Sequence, residues 1–229
     1  MPNWAENDLT ITGPDVQKVL NAIRSESDED ARILDFNRII PYPQHYKELD
    51  QRSNEYQEKF LAIEKDDPER QSKLEALAAE YGVEPGTPWL KDGFNSGGYE
   101  WTCDHWSTKW NAAHAKLSLR IENAKGQVRR KIKCEYCHTV HKTDEMTVMV
   151  CKQCGSPLPD SQAVSALIEF DTAWSPPIPI IEKMASLFPD HEFDLEYFEG
   201  GMGFCGHAHW KEGAEQFHNQ DDYDGPRGG

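Results

Sequence analysis

Apolar residues recur at two different periods along this chain, and each change of period marks an element. Leu9 and Ile11 alternate with Thr10 and Thr12, the period of a half-buried strand, and Gly13 closes the run. Pro14 suits a first helical turn, and Val16, Val19, Leu20 and Ile23 recur at i, i+3, i+4 and i+7. That stripe predicts an amphipathic helix ending in the polar run from Ser25 to Asp30. Ile33 to Ile40 is apolar again and stopped by Pro41 and Pro43, so it reads as a strand or an extended segment. Leu117, Leu119 and Ile121 alternate, as do Ala166, Ile168 and Phe170. Pro179 opens a second helical stripe of Ile180, Ile181, Met184, Leu187 and Phe188, and Phe193, Leu195 and Tyr197 then alternate with acidic residues in a strand buried on one face. A glycine-rich turn, Gly200 to Gly203, leads to a last strand ending near Trp210, and the polar stretch 213–229 is expected to be a flexible tail.

Two stretches interrupt this order. Residues 47–82 carry helical stripes (Tyr56, Phe60 and Ile63, then Leu74, Leu77, Ala78 and Tyr81 before Gly82), with Asp67 and Pro68 opening the second helix. They read as a charged helical insertion. Residues 126–159 hold four cysteines. What remains is strand, helix, strand, strand, helix, strand with an extra edge strand, the order of a ferredoxin-like split βαβ unit. The expected fold is therefore α+β, an antiparallel sheet with helices on one face. Its domains are 1–125 with 160–212, the helical insertion at 47–82, and a zinc-ribbon hairpin at 126–159.

The cysteines change the chemical picture. Cys134 and Cys137, then Cys151 and Cys154, form two C-x-x-C pairs separated by thirteen residues. Two thiolate pairs at this spacing predict one tetrahedral Zn²⁺ site of the ribbon type, closed by four sulfurs and hence structural. Gly155 suits the turn of a knuckle, and Met146, Val148 and Val150 alternate as one strand of the hairpin. A redox role for the C-x-x-C pairs is the rival reading. His138 and His141 are placed beside the site rather than in it, because the shell is already full.

Charge narrows the partners. Forty acidic against 24 basic residues give a net charge of −16, which repels nucleic acid from the molecule as a whole. A local basic patch, Arg129, Arg130, Lys131 and Lys133, lies in the cysteine segment. It either offsets the charge of a metal tetrathiolate or contacts nucleic acid; the acidic remainder suits a basic protein partner. No apolar run reaches the roughly 20 residues of a membrane span, and no signal peptide opens the chain, so a cytoplasmic protein with reduced thiols is expected.

Several sequence islands resemble the YubB ferredoxin-like family of phage and plasmid proteins. They are Met1 to Gly13 (MPNWAENDLTITG), Phe36 to Pro41 (FNRIIP), Trp106 to Asn111 (WSTKWN), Phe170 to Pro177 (FDTAWSPP) and Gly201 to Phe204 (GMGF). The resemblance implies a ferredoxin-like fold, a bacterial host cytoplasm and a mobile-element origin. It implies no reaction and no catalytic residues.

Two further constellations stand out. Trp101, Trp106, Lys109, Trp110 and Trp174 can build an aromatic pocket with one cation, suited to a base and a phosphate, or they can simply seal the sheet. Cys205, His207 and His209 share one face of the last strand, and with Cys103 and His105 they can form a second metal site or an unreactive polar face. No hydrolase elbow, phosphate-binding loop or zincin helix is present. The expected function is accordingly non-enzymatic binding of a host protein of a defence or nucleic-acid-processing system. The alternatives are a nucleotide or single-stranded nucleic-acid binder, using the tryptophans and the basic hairpin, and a metal-dependent hydrolase at the histidine strand.

Overall fold

The alternation at the start of the chain builds the middle of a sheet. In a computed structural model, which describes residues 3–25, 31–122, 128–129, 131–142, 151–156, 158 and 163–225, Trp4–Thr12 forms strand β1, with Ala5, Leu9 and Ile11 fully buried on one face and Glu6 and Asp8 exposed on the other. Helix α1 (Val16–Ile23) buries all four residues of its predicted stripe. Strand β2 (Ala113–Glu122), β3 (Val128–Arg129) and β6 (Ala163–Ala173) follow, then helix α5 (Ile178–Leu187), β7 (Glu192–Glu199), β8 (Phe204–Lys211) and β9 (Ala214–Asp222). The cysteine segment between β3 and β6 contributes a separate two-stranded ladder, β4 (Lys131–Lys133) with β5 (Val140–Lys142).

The sheet has seven strands in the order β3-β2-β6-β1-β7-β8-β9, and every neighbouring pair is antiparallel. Within it, β2-β6-β1-β7 is the ferredoxin-like order, with β1 and β2 parallel to each other and split by β6. The fold is α+β. Helices α1 and α5 pack on the face that carries Leu9, Ile168 and Leu195, and each buried Val, Leu or Ile there contributes roughly 1.5–3 kcal/mol.

Three features differ from the sequence expectation. Ile33 to Ile40 is no strand: Phe36–Arg38 forms a 3₁₀ turn, opened by the Asp35 carboxylate accepting from Asn37 N at 3.0 Å. Phe36 is fully buried there and meets Trp106 and Phe170 edge-on at 5.7 and 6.4 Å. The segment expected as a loose tail is instead strand β9, which pairs along most of β8. Its residues are all exposed, so it is held by its backbone ladder and carries no apolar alternation to betray it. Finally, the sheet gains β3 at its other edge, whereas β8 is the last strand expected to end near Trp210.

One glycine makes that edge possible. A Cβ on Gly206 would lie 2.2 Å from the Tyr197 ring. Without it the ring crosses β8, and the hydroxyl reaches His218 Nε2 on β9 at 2.7 Å. The turn between β7 and β8 is fixed by Glu199, 2% exposed, whose carboxylate accepts from Gly201 N at 2.9 Å and from Met202 N.

Residues 42–102 form a second unit, longer than the 47–82 expected. Helices α2 (Gln44–Leu61) and α3 (Arg70–Tyr81) meet through Tyr56, Leu77 and Tyr81, with Phe60, Ile63, Val83 and Leu90 around them. Tyr56 Oη donates to Thr87 O at 2.5 Å, and Gly82 ends α3 in the left-handed conformation. A nine-residue helix within the aromatic stretch, α4 (Gly98–Trp106), contains the boundary between the units and was hidden in the sequence by glycines and large rings.

Candidate metal centre and open sheet face

The two C-x-x-C pairs fold into the same local structure. In the first knuckle Cys134 N donates to Thr139 O at 2.9 Å and His138 N donates to Cys134 O at 3.0 Å. In the second, Cys151 N donates to Ser156 O at 2.8 Å and Gly155 N donates to Cys151 O at 2.8 Å. The residue after each second cysteine is left-handed, His138 at φ 62° and Gly155 at φ 72°. Glycine takes that conformation without cost, whereas a side chain there costs roughly 1–2 kcal/mol. His138→Gly is therefore expected to stabilise the hairpin by up to about 1–2 kcal/mol, and the β-branched His138→Val to weaken it relative to histidine. Competitive metal titration of the two variants checks this; a glycine variant that binds less tightly than the valine variant contradicts it.

The knuckles bring four sulfurs together. Cys134 Sγ lies 3.7 Å from Cys154 Sγ, Cys137 Sγ lies 3.3 Å from Cys151 Sγ, and all four fall within 4.8 Å of one another. A tetrahedral tetrathiolate with metal–sulfur bonds of about 2.3 Å has edges of about 3.8 Å, so the four thiols fit a closed metal site. Cys134 and Cys151 are buried, as are Ile132 and Leu158 beside them. Thr139, through its hydroxyl and its backbone, pulls the Cys137 thiol down to about 6, while burial pushes Cys151 up to about 11. His141, buried on β5, places Nε2 3.2 Å from Cys151 Sγ, beside the sulfur cluster. Thr139 was not singled out in the sequence. Met146, Val148 and Val150 lie outside the described residues.

The tryptophans separate. Trp106 is buried and donates its indole N–H to Ile40 O at 2.9 Å, a sealing role. Trp101 belongs to the helical unit, edge-on to Tyr42 at 5.6 Å. Trp110 and Trp174 do not seal the sheet; they are 38% and 40% exposed, and Lys109 Nζ lies 4.5 and 5.2 Å from their ring centres. Trp174 adopts φ 75° and Ser107 φ 59°, and between these two segments Ser175 Oγ donates to Ser107 O. Of the basic patch, Lys131 is exposed on β4, Arg129 is placed as β3 backbone, and Arg130 lies outside the described residues.

The sheet face away from α1 and α5 is acidic. Register places Glu169 opposite Asp8, Asp8 opposite Glu196, and Glu196 opposite His207, a single row across β6, β1, β7 and β8. These residues border a hollow of 680 Å³ that also takes in Glu6, Asp221 and Tyr223. Burial, then the neighbouring Glu169 and Glu196, raises the Asp8 carboxyl above its ordinary range. The alternation of Glu192, Asp194 and Glu196 with Phe193, Leu195 and Tyr197 already put the β7 acids on one face in the sequence, whereas their neighbours Asp8 and Glu169 follow only from the strand register.

His207 and His209 do share a face of β8, and both turn to Asp194 on β7. His207 Nε2 lies 3.0 Å from each Asp194 oxygen, and His209 Nδ1 lies 3.0 Å from Oδ2. Cys205 Sγ instead approaches Asp222 O at 3.8 Å. Among the described residues, the donors that converge here are Asp194, Glu196 and His207, without Cys205, Cys103 or His105.

Residues 160–225 match a family model described as the ferredoxin-like domain in Api92-like protein. No curated protein matches the chain. A crystal structure of protein Api92 from Yersinia pseudotuberculosis aligns over 99% of both chains at 12% identity, with a TM-score of 0.30. Among the described residues, no helix is long and apolar enough to cross a membrane.

Proposed function

We propose that this chain is a non-enzymatic binding protein whose open sheet face receives the basic surface of another protein. The observation that carries the reading is the in-register row Glu169–Asp8–Glu196, three like charges side by side, each exposed among the described residues. Like charges placed directly opposite destabilise a sheet, and a cationic partner relieves the repulsion. The sequence islands shared with the YubB family support an origin in a phage or plasmid. The partner is then a host protein in the bacterial cytoplasm, of a defence or nucleic-acid-processing system. One structural Zn²⁺ per chain closes the cysteine hairpin: four thiolates suit zinc, and a filled shell leaves no position for substrate.

Affinity capture from host lysate tests this, run in parallel with the wild-type chain and a Glu6→Gln, Asp8→Asn, Glu169→Gln variant. The expected result is a stoichiometric, basic partner that salt elutes and the variant fails to hold. A partner retained by the variant, or no specific partner, removes the reading.

One observation favours a second reading, a nucleotide or single-stranded nucleic-acid binder. Lys109 stands over two half-exposed indoles, where a phosphate and a stacked base would meet a cation and aromatic faces. Tryptophan emission quenched by oligonucleotides in the wild type but not in Lys109→Ala supports it; emission indifferent to nucleotides and oligonucleotides removes it.

A further inference from the structure

We propose that Asp194, Glu196 and His207 form a second metal site on the open face of the sheet, taking a first-row divalent ion of the zinc, cobalt or manganese kind. This goes beyond the binding function above and does not depend on it. The three side chains come from adjacent antiparallel strands, Glu196 directly opposite His207, with one donor atom of each within 4.8 Å of the others. An imidazole with two carboxylates is a borderline-hard donor set. It disfavours Cu(I), which wants sulfur, and distinguishes the site chemically from the thiolate centre.

The surroundings hold these donors in place. Phe217 of β9 packs perpendicular to the His207 ring at 4.8 Å and lies nearly parallel to the His209 ring at 5.8 Å. His209 in turn holds the Asp194 carboxylate through Nδ1 at 3.0 Å, the arrangement by which an outer residue orients a metal ligand. Lys211 Nζ fixes Glu192 at 2.6 Å, and the other Glu192 oxygen lies 3.9 Å from His209 Nε2. A His–Asp ion pair alone would need one imidazole. Here two imidazoles converge on one carboxylate while a second carboxylate faces the same point. Three protein ligands leave coordination positions open, and Glu196 and His207 also line the 680 Å³ hollow, so a bound ion would present exchangeable positions to it.

The test uses the full-length, zinc-loaded chain titrated with Co²⁺. The expected result is one saturable equivalent beyond the thiolate site, with weak visible d–d absorption and paramagnetically shifted imidazole proton signals. Co²⁺ exchanging at the cysteines is read separately, through its intense sulfur-to-metal charge transfer. His207→Ala and the isosteric Glu196→Gln are each expected to weaken the added equivalent at least tenfold, and His209→Ala by about 10–100-fold, the usual effect of losing an orienting partner. Circular dichroism of the variants should match the wild type, since these side chains lie outside the core. No equivalent beyond the thiolate site, or one undiminished in both His207→Ala and Glu196→Gln, overturns the proposal.

Discussion

In the Cys151→Ser variant the two cysteine knuckles are expected to lose the capacity to hold a metal and with it their closed structure, while the seven-stranded sheet persists. Cys151 is 1% exposed, lies 3.3 Å from Cys137 Sγ, and begins the second knuckle by donating to Ser156 O. A serine oxygen is a poor replacement for a thiolate towards a soft or borderline ion, and three sulfurs leave the shell open. Among the described residues the hairpin has a short ladder, Lys131 to Lys133 against Val140 to Lys142, and few buried side chains, so a metal held there would couple its binding to the folding of the knuckles. Apparent binding energies for structural zinc of about 10–16 kcal/mol set the scale of what is lost. Lowering the pH acts in the same direction, because each thiol must release its proton to bind. Metal content per chain together with amide exchange reports the result; full occupancy with unchanged protection would show that Cys151 is not a ligand and that the four-sulfur reading is wrong.

The second large effect is expected at Phe36. Phe36→Ala should cost about 3–5 kcal/mol, the range for emptying an aromatic site in a packed core. The ring is fully buried and bridges Trp106 and Phe170, so its loss opens a void where the turn meets β6. The turn itself is anchored independently, with Phe36 N donating to Asn111 Oδ1 at 2.9 Å and Asn111 Nδ2 donating to Asp35 Oδ1 at 2.7 Å. The backbone is therefore held while the cavity remains, which is the circumstance that makes truncation expensive. Denaturant unfolding gives the value; a loss under about 1 kcal/mol would mean that the site collapses freely.

How far these features could be read from the chain depends on the range of the interaction behind them. The helix stripe Val16, Val19, Leu20 and Ile23 and the alternation of Phe193, Leu195 and Tyr197 are local signals, and both stand in the structure. The cysteine pairs are equally local, since each knuckle is closed within six residues by its own backbone hydrogen bonds. The Phe36 segment looked like a strand because its apolar residues are contiguous, but its conformation is set by Asp35 and by Asn111, which lies 75 residues away. Strand β9 was invisible for the opposite reason, having no buried side chain to give it a period. The histidine strand was seen, its partners were not: Asp194 reaches His207 only because β7 and β8 pair in one particular register. The tryptophans looked equivalent in sequence, whereas packing buries Trp106, half-exposes Trp110 and Trp174, and buries Trp210 completely.

The sequence islands at Met1 to Gly13, Trp106 to Asn111 and Phe170 to Pro177 acquire a structural meaning through contacts among them. Asn7 Nδ2 donates to Thr172 Oγ1 at 2.9 Å, Thr172 Oγ1 donates to Ser175 O at 2.8 Å, and Thr108 Oγ1 donates to Ala173 O at 2.9 Å. Trp174 N donates to Asn3 O at 2.9 Å. Three of the five islands thus clamp one end of the sheet, where unsatisfied polar groups would otherwise be costly.

The position of β1 also sets the order in which the molecule can be made. Its neighbours are β6 and β7, and the bond from Asn7 to Thr172 spans 165 residues. During translation, at about 5–20 residues per second, β1 leaves the ribosome on the order of ten seconds or more before β7 can reach it. A nascent chain thus carries its future central strand unpaired, with both edges available to other chains, while the helices of residues 42–102 can form from local contacts. Such a high contact order slows folding and lengthens exposure to aggregation, which makes overproduction at lowered temperature or with trigger-type chaperones the favourable regime.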